Sequence, residues 1–473
     1  MLKTRLFFIP FFLTLTLSAQ NVRFNVAAGC SPVAQSLGGI DVTLTPSKTP
    51  LTVANFMTYV NSGAYTCTLI HRSTNMVNNV QNPPYVIQGG GYILGPGNVP
   101  QLYTPINPPV TNEFSASNTA GTLAMGQSIA GIDSATNQWY FNTQDNSAGL
   151  DPGKYTVFGT VANDSSFAVM TNVNALPTFI YNAGNSANFA DLPLYNYSCP
   201  SGTCGLIKPA NYIFVTSIAT IGAPAVSAAG VADAATALNN NKTGISPGEI
   251  ITFYGANFGS ANASYMGPVN VQGIELNSAG NVITNLESTQ VTFNGVPGAM
   301  VFSSDQQIAV VAPYEIAGQS TVNVVVSYLG GSSGTMTFNV APTTPGLFTL
   351  TQAGQGDAAI VRLSDASVIS KSNPASVGDT LELYGEGYGA ATANTALPDG
   401  AVVNTTLPVP AAKVTLLIDG TAVPTIYAGG AGGDVNGVMQ INFKVPQLTP
   451  GTHQLQIQVG STTSPAGVTL QTM

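Results

Sequence analysis

Apolar residues along this chain recur mostly at every second position. Ile40, Val42 and Leu44 alternate with Asp41 and Thr43 before Pro46 ends the run. Near the other end, Leu455, Ile457 and Val459 alternate with Gln456 and Gln458. A period of two places successive side chains on opposite faces, so both runs predict strands buried on one side. One segment departs from this pattern. Val53, Phe56, Met57 and Val60 fall at helical spacing, Thr49 stands at the cap position, Pro50 fits the first turn, and Gly63 stops the run. Further strands are expected around residues 67–71, in "YVIQGGGY" (85–92), "GTLAMG" (121–126), "NQWYFNT" (137–143), "YTVFGTV" (155–161) and "NYIFVTSI" (211–218). By alternation the sole tryptophan, Trp139, faces the core. The chain reads as mainly β.

After Gly222 the texture turns to Ala/Val/Ser-rich strands, and these repeat. "GEIITFYGANFGSA" (248–261) matches "GDTLELYGEGYGAA" (378–391), and "QIAVVAP" (307–313) matches "QINFKVP" (440–446). A recurrence about 130 residues apart implies two copies of one module, divided near "APTTPGLF" (341–348). Alternating strands with Gly/Pro turns predict a β-sandwich for each copy. The Tyr254-Gly255 and Tyr384-Gly385 pairs are read as structural. The expected division is a leader over 1–19, a first domain over 20–222, and repeats over 223–343 and 344–473.

Composition narrows the partners. Charged residues are 7% of the chain, Lys and Arg number 12, and the formal net charge is −9. No basic cluster exists to grip phosphates, so a nucleic-acid partner is not expected. Lys3 and Arg5 precede the apolar run Leu6–Leu17, and "LSAQ" offers a cleavage point at Ala19. This predicts an exported protein, secreted or held in the periplasm or cell envelope, with no transmembrane anchor. Cys199 and Cys204 flank a Pro-Ser-Gly-Thr turn and are expected to form a local disulfide, leaving Cys30 and Cys67 as a second pair. With two histidines and no second close cysteine pair, no metal site or cofactor is expected.

The order of pieces over roughly residues 24–220 resembles the cyclophilin family of peptidyl-prolyl cis-trans isomerases. "TPLTVANFMTYVNSGAY" (49–65) is similar to the family's first helix, "IHR" (70–72) to its Phe-His-Arg strand and "VIQGGGY" to its Gln-Gly-Gly segment; "GTLAMG" and "YTVFGTV" follow in the family's order. The resemblance implies a closed eight-stranded antiparallel barrel capped by helices, with a substrate groove on its outer face. The two repeats resemble immunoglobulin-like (IPT/TIG-type) domains.

The resemblance also assigns roles. Arg72 and Gln88 are the catalytic pair, the first hydrogen-bonding the twisted amide and the second orienting the peptide backbone. Tyr85, Val86, Met125, Gly126, Tyr140, Leu150 and Tyr155 are expected to bind the proline-containing substrate. Departures from the family's pattern stand out: a longer loop between Arg72 and Tyr85, Val86 for Met, Gly149 where many members place an aromatic, and a Tyr140 hydroxyl that needs a partner. Standing alone, Arg72 could equally be a solvated strand residue or pair with Asp133 or Asp151, and His71 reads as a packing residue. Two function classes follow. One is an exported isomerase acting on Xaa-Pro bonds, its repeats contacting surface or matrix polymers. The other is a catalytically weak cyclophilin-like peptide-binding module in a surface adhesion protein.

Overall fold

In a computed structural model, residues 20–473 are described apart from 32, 76–83, 105, 183–187, 200–204 and 262–274. The expected leader and the middle of the long loop after Arg72 lie outside the described residues. The chain forms two compact units, one of residues up to Ala162 with Met170–Ile221, the other of Asn163–Val169 with Gly222–Met473.

The first unit is built on a closed barrel. Its strands are β1 (Gln20–Ala28), β2 (Gln35–Leu44), β3 (Thr68–Ser73), β4 (Val86–Gly89), β5 (Thr122–Met125), β6 (Trp139–Asn142), β7 (Val157–Val161) and β8 (Ile213–Thr220). They close in the order β1-β8-β3-β4-β6-β5-β7-β2, and every pairing is antiparallel. Closure leaves no free edge. Val22, Phe24 and Val26 alternate inward from β1, and all three are buried. Phe24 packs edge-on against Trp139 and Phe141, with centroids 5.0 and 5.1 Å away. Between them on β1 lies Arg23, whose register partner on β2 is Asp41. The two form a bidentate ion pair, Nε to Oδ1 at 2.7 Å and Nη2 to Oδ2 at 2.9 Å, which neutralises a fully buried carboxylate.

Helix α1 (Pro50–Asn61) buries Val53, Phe56, Met57 and Val60, the face the spacing selects, and Phe56 stacks on Phe24. Gly63 ends it at φ +72°, a conformation glycine takes without strain. The cap differs from expectation. Thr49 makes no side-chain cap bond. Its hydroxyl donates to the Thr45 carbonyl, while Glu113, distant in sequence, accepts from the N–H groups of Leu51 (3.1 Å) and Thr52 (2.8 Å). A carboxylate there also meets the helix's positive end. A second long helix, α2 (Asp164–Asn174), ends at Asn174, whose carbonyl accepts from Asn75 Nδ2 at 2.6 Å just beyond β3. Cys30 and Cys67 are joined as a disulfide tying the end of β1 to the turn before β3. Cys199 is disulfide-bonded too, while Cys204 lies outside the described residues.

The second unit repeats one arrangement twice. In the first copy β9 (Val231–Asp233), β10 (Ile250–Tyr254), β12 (Ala299–Ser303) and β13 (Gln307–Val311) form a sheet in the order β9-β10-β13-β12. Facing strands β11 (Thr289–Phe293), β14 (Thr321–Tyr328) and β15 (Met336–Asn339) pair in that order. In the second copy β16 (Ile360–Arg362), β17 (Thr380–Glu386), β20 (Met439–Lys444) and β19 (Thr425–Gly430) pair in sequence. Opposite run β18 (Val414–Ile418), β21 (Gly451–Val459) and β22 (Val468–Thr472). The matched glycines have matched reasons. A side chain on Gly255 would strike the Ala225 carbonyl at 2.2 Å, and one on Gly385 the Gly346 carbonyl at 2.4 Å. Each copy has its own apolar core. Among the described residues no helix is long and apolar enough to cross a membrane.

Candidate active site

The motif residues meet because four strands put them in one row. Across β3 and β4, Arg72 is the direct partner of Gln88; Gln88 is the partner of Tyr140 on β6, and Tyr140 of Ala124 on β5. Cross-strand partners share a face, so these side chains stand together on the outside of the barrel. The register slips between Ile70 and Arg72, a bulge that re-aims the arginine.

Over this row lies a cavity of about 400 Å³. It is lined by Arg72, Pro84, Val86, Gln88, Gly126, Gln127, Tyr140, Gly149, Leu150 and Tyr155. Its floor is apolar: Val86, Ala124, Tyr140, Leu150 and Val157 form one buried cluster, with Tyr155 packed against it. The Tyr140 and Tyr155 rings meet edge-on with centroids 6.1 Å apart. At Gly149 a side chain would meet nothing within 4 Å, so the cavity is open where a bulky residue would narrow it.

Arg72 is half-buried. Among the described residues no acidic side chain pairs with its guanidinium. Asp133 instead accepts from the Asn112 N–H at 2.7 Å, and Asp151 accepts from Asn118. Gln88 is held in place, its Nε2 donating to Gln138 Oε1 at 2.9 Å. Gln138 and Trp139 explain the glycine run behind Gln88. A Cβ on Gly89 would sit 2.7 Å from the Trp139 ring, and one on Gly91 would sit 2.7 Å from the Gln138 side chain. Gly90 combines φ +81° with a 2.6 Å approach to the Asn137 carbonyl. His71 is buried between Tyr92 and Phe189, at centroid distances of 4.7 and 5.7 Å. Burial lowers its pKa to about 3, so the ring is neutral and available for packing only.

Seven of the nine expected residues line the cavity. Tyr85 and Met125 do not. Pro84 and Val86 both face the cavity, so Tyr85 between them turns away, its backbone bonded to the Asn146 side chain. Met125 lies between Ala124 of the floor and Gly126 of the wall, and it lines a separate crevice with Thr52, Val110 and Thr156. Gln138, Pro84 and Gln127 were invisible to motif reading. Gln138 directly precedes Trp139, and only the β4–β6 pairing reveals what it touches.

Residues 32–186 match the sequence model of the family described as cyclophilin type peptidyl-prolyl cis-trans isomerase/CLD, and residues 238–340 match the IPT/TIG domain. Peptidyl-prolyl cis-trans isomerase A of Dickeya dadantii is 38% identical over 139 residues, which are 28% of this chain and 65% of that protein. A peptidyl-prolyl cis-trans isomerase of Acinetobacter baylyi is 34% identical over 151 residues, 31% of this chain and 72% of the relative. A solved cyclophilin type isomerase of Cryptosporidium parvum aligns with 43% of this chain and 98% of its own, at 17% identity and a TM-score of 0.28.

Proposed function

The chain belongs to the cyclophilin-type peptidyl-prolyl cis-trans isomerase family, and from that premise we propose that its barrel catalyses rotation about Xaa-Pro bonds of polypeptides outside the cytoplasm. A peptide bond resists rotation by about 18–20 kcal/mol because resonance stiffens C–N. Before proline the two isomers lie close in energy yet exchange over tens to hundreds of seconds. No bond need break to speed this. The proline ring occupies the floor of Val86, Ala124, Tyr140 and Leu150, and Gln88 holds the neighbouring backbone. In the twisted state the amide nitrogen turns pyramidal and regains a lone pair. Arg72 donates to that nitrogen or the adjacent carbonyl, a bond stronger in the twisted state than in the planar one. The single observation that carries this reading is the pairing of Arg72 with Gln88 over an apolar floor, with no acid claiming the guanidinium.

The Cys30–Cys67 disulfide supports an oxidising compartment, consistent with cleavage of a leader over 1–19 and action in the envelope or beyond. The repeats serve to position the barrel against surface or matrix polymers. NMR exchange on a short Xaa-Pro peptide, free of any coupled protease, tests the activity. Wild type should accelerate exchange, and Arg72→Ala should lose about 2.7–4 kcal/mol of transition-state stabilisation, roughly a hundred- to a thousandfold in rate. Arg72→Lys should recover little, since a point charge does not reproduce the fork. Equal rates in wild type and Arg72→Ala overturn the mechanism. Peptide binding without acceleration in wild type makes the barrel a binding module instead.

A further inference from the structure

Tyr140 brings a hydroxyl to the back of an apolar floor, and the residue that meets it is Asn118, which does not line the cavity. The Tyr140 hydroxyl donates to Asn118 Oδ1 at 2.8 Å, and both residues are buried, at 4% and 0% exposure. Asn118 Oδ1 also accepts from Asn142 Nδ2 at 3.2 Å. Its Nδ2 donates to Asp151 Oδ1 at 3.0 Å and to the Tyr155 carbonyl at 3.1 Å. A carboxamide offers two donors and two acceptor positions, and here all four are used. Its backbone adds two more ties. The Asn118 N–H donates to Asp151 Oδ1 at 2.9 Å, and its carbonyl accepts from the Asn146 N–H at 2.9 Å. Asn146 in turn donates to the Tyr85 carbonyl at 2.8 Å.

One side chain thus connects the floor at Tyr140 to the wall at residues 150–155, and through Asn146 to the strand carrying Val86. We propose that Asn118 is a positioning residue that sets the shape of the proline pocket, fixing the rotation and depth of the Tyr140 ring against the Leu150–Tyr155 wall. No other residue type fits the place. Leucine matches the size but leaves the phenol and the Tyr155 carbonyl unpaired. Aspartate keeps the acceptors, loses both donors and sets a second carboxylate against Asp151. The proposal rests on the isomerase reading, and Asn118 acts on the substrate only through Tyr140 and the wall.

The test uses the full chain and the same peptide exchange measurement, with kcat and KM read separately. Asn118→Leu should raise KM roughly tenfold or more, the scale of an unpaired buried polar group, while kcat stays within about threefold because Arg72 and Gln88 sit on other strands. Adding Tyr140→Phe removes the stranded hydroxyl, so the double variant should lie within about twofold of Tyr140→Phe alone. Asn118→Asp supplies an independent check if Asn118→Leu does not fold. Its KM should fall as pH is lowered and the carboxyl gains a proton to donate, with a steeper dependence than wild type. A lowered melting temperature with unchanged KM, or losses that simply multiply in the double variant, would overturn the inference. A wild type that accelerates nothing fails the isomerase reading, whereas an active wild type with KM unmoved by both Asn118 variants fails this inference alone.

Discussion

The two repeats of the second unit share one turn and compensate its charge differently. In the first, the Ser246 N–H donates to Glu249 Oε2 at 2.7 Å; in the second, the Ser376 N–H donates to Asp379 Oδ2 at 2.8 Å. Asp379 then meets Arg362, whose Nε lies 2.9 Å away, and its side chain stays 23% exposed. Glu249 has no cation. It is fully buried, accepts from Asn240 Nδ2 (2.6 Å) and the Thr344 hydroxyl (2.7 Å), and lies beside Asp233 and Glu386. Burial first, then neighbouring carboxylates, push Glu249 and Glu386 well above the usual range, and burial raises Asp233. One turn is therefore held by an ion pair that water still reaches, the other by acids that keep their protons. The same backbone task tolerates either solution, and only the second ties stability to alkalinity.

The largest expected effect comes from Glu386, which reaches from the second repeat to accept from the N–H groups of Ala235 (2.7 Å) and Ile250 (2.6 Å) in the first. Glu386→Ala leaves two buried donors bare at about 1–3 kcal/mol each. Calorimetry should then show the repeats melting separately, and an unchanged single transition would break the view that this acid couples them. A smaller loss, about 1 kcal/mol, is expected for Arg362→Ala, because its pair with Asp379 is partly hydrated. Urea titration measures it, and a loss as large as that of Glu386→Ala would erase the contrast between the turns. The smallest effect is a slope. Carboxyls with raised folded pKa values bind more protons folded than unfolded, so their stabilisation is full below about pH 4.5 and is lost as pH rises. The second unit should melt lower at pH 9 than at pH 5. Asp399, pushed up to about 7 by burial, adds in the same direction, so the slope is read as the difference between wild type and Glu249→Gln. A slope identical in the two proteins would remove Glu249 as its source.

The barrel and the repeats were largely legible because their signals are local. Helix α1 follows from the spacing of Val53, Phe56, Met57 and Val60, and the strands follow from alternation. The IHR and QGGG segments sit where the resemblance places them, on paired strands. What escaped is what contact over long sequence distance decides. Glu113 caps α1 from 62 residues beyond Leu51. Asn118 partners Tyr140 across a sheet, and no spacing rule links them. Tyr85 and Met125 were placed by family position, whereas their neighbours on the strand already take the cavity face. The charge environment of Glu249 was equally hidden, since its match with Asp379 in the repeat suggests equal surroundings and the fold supplies unequal ones.

Trp139, boxed in by Phe24, Phe141 and the glycines after Gln88, is the only tryptophan in the chain and belongs to the first unit. Its indole is fully buried, and its strand neighbour Tyr140 floors the cavity. Intrinsic fluorescence therefore reports on the barrel and is blind to the repeats, while calorimetry sees both. Unlabelled protein carries a built-in optical probe by which the two units' unfolding can be told apart in a single sample.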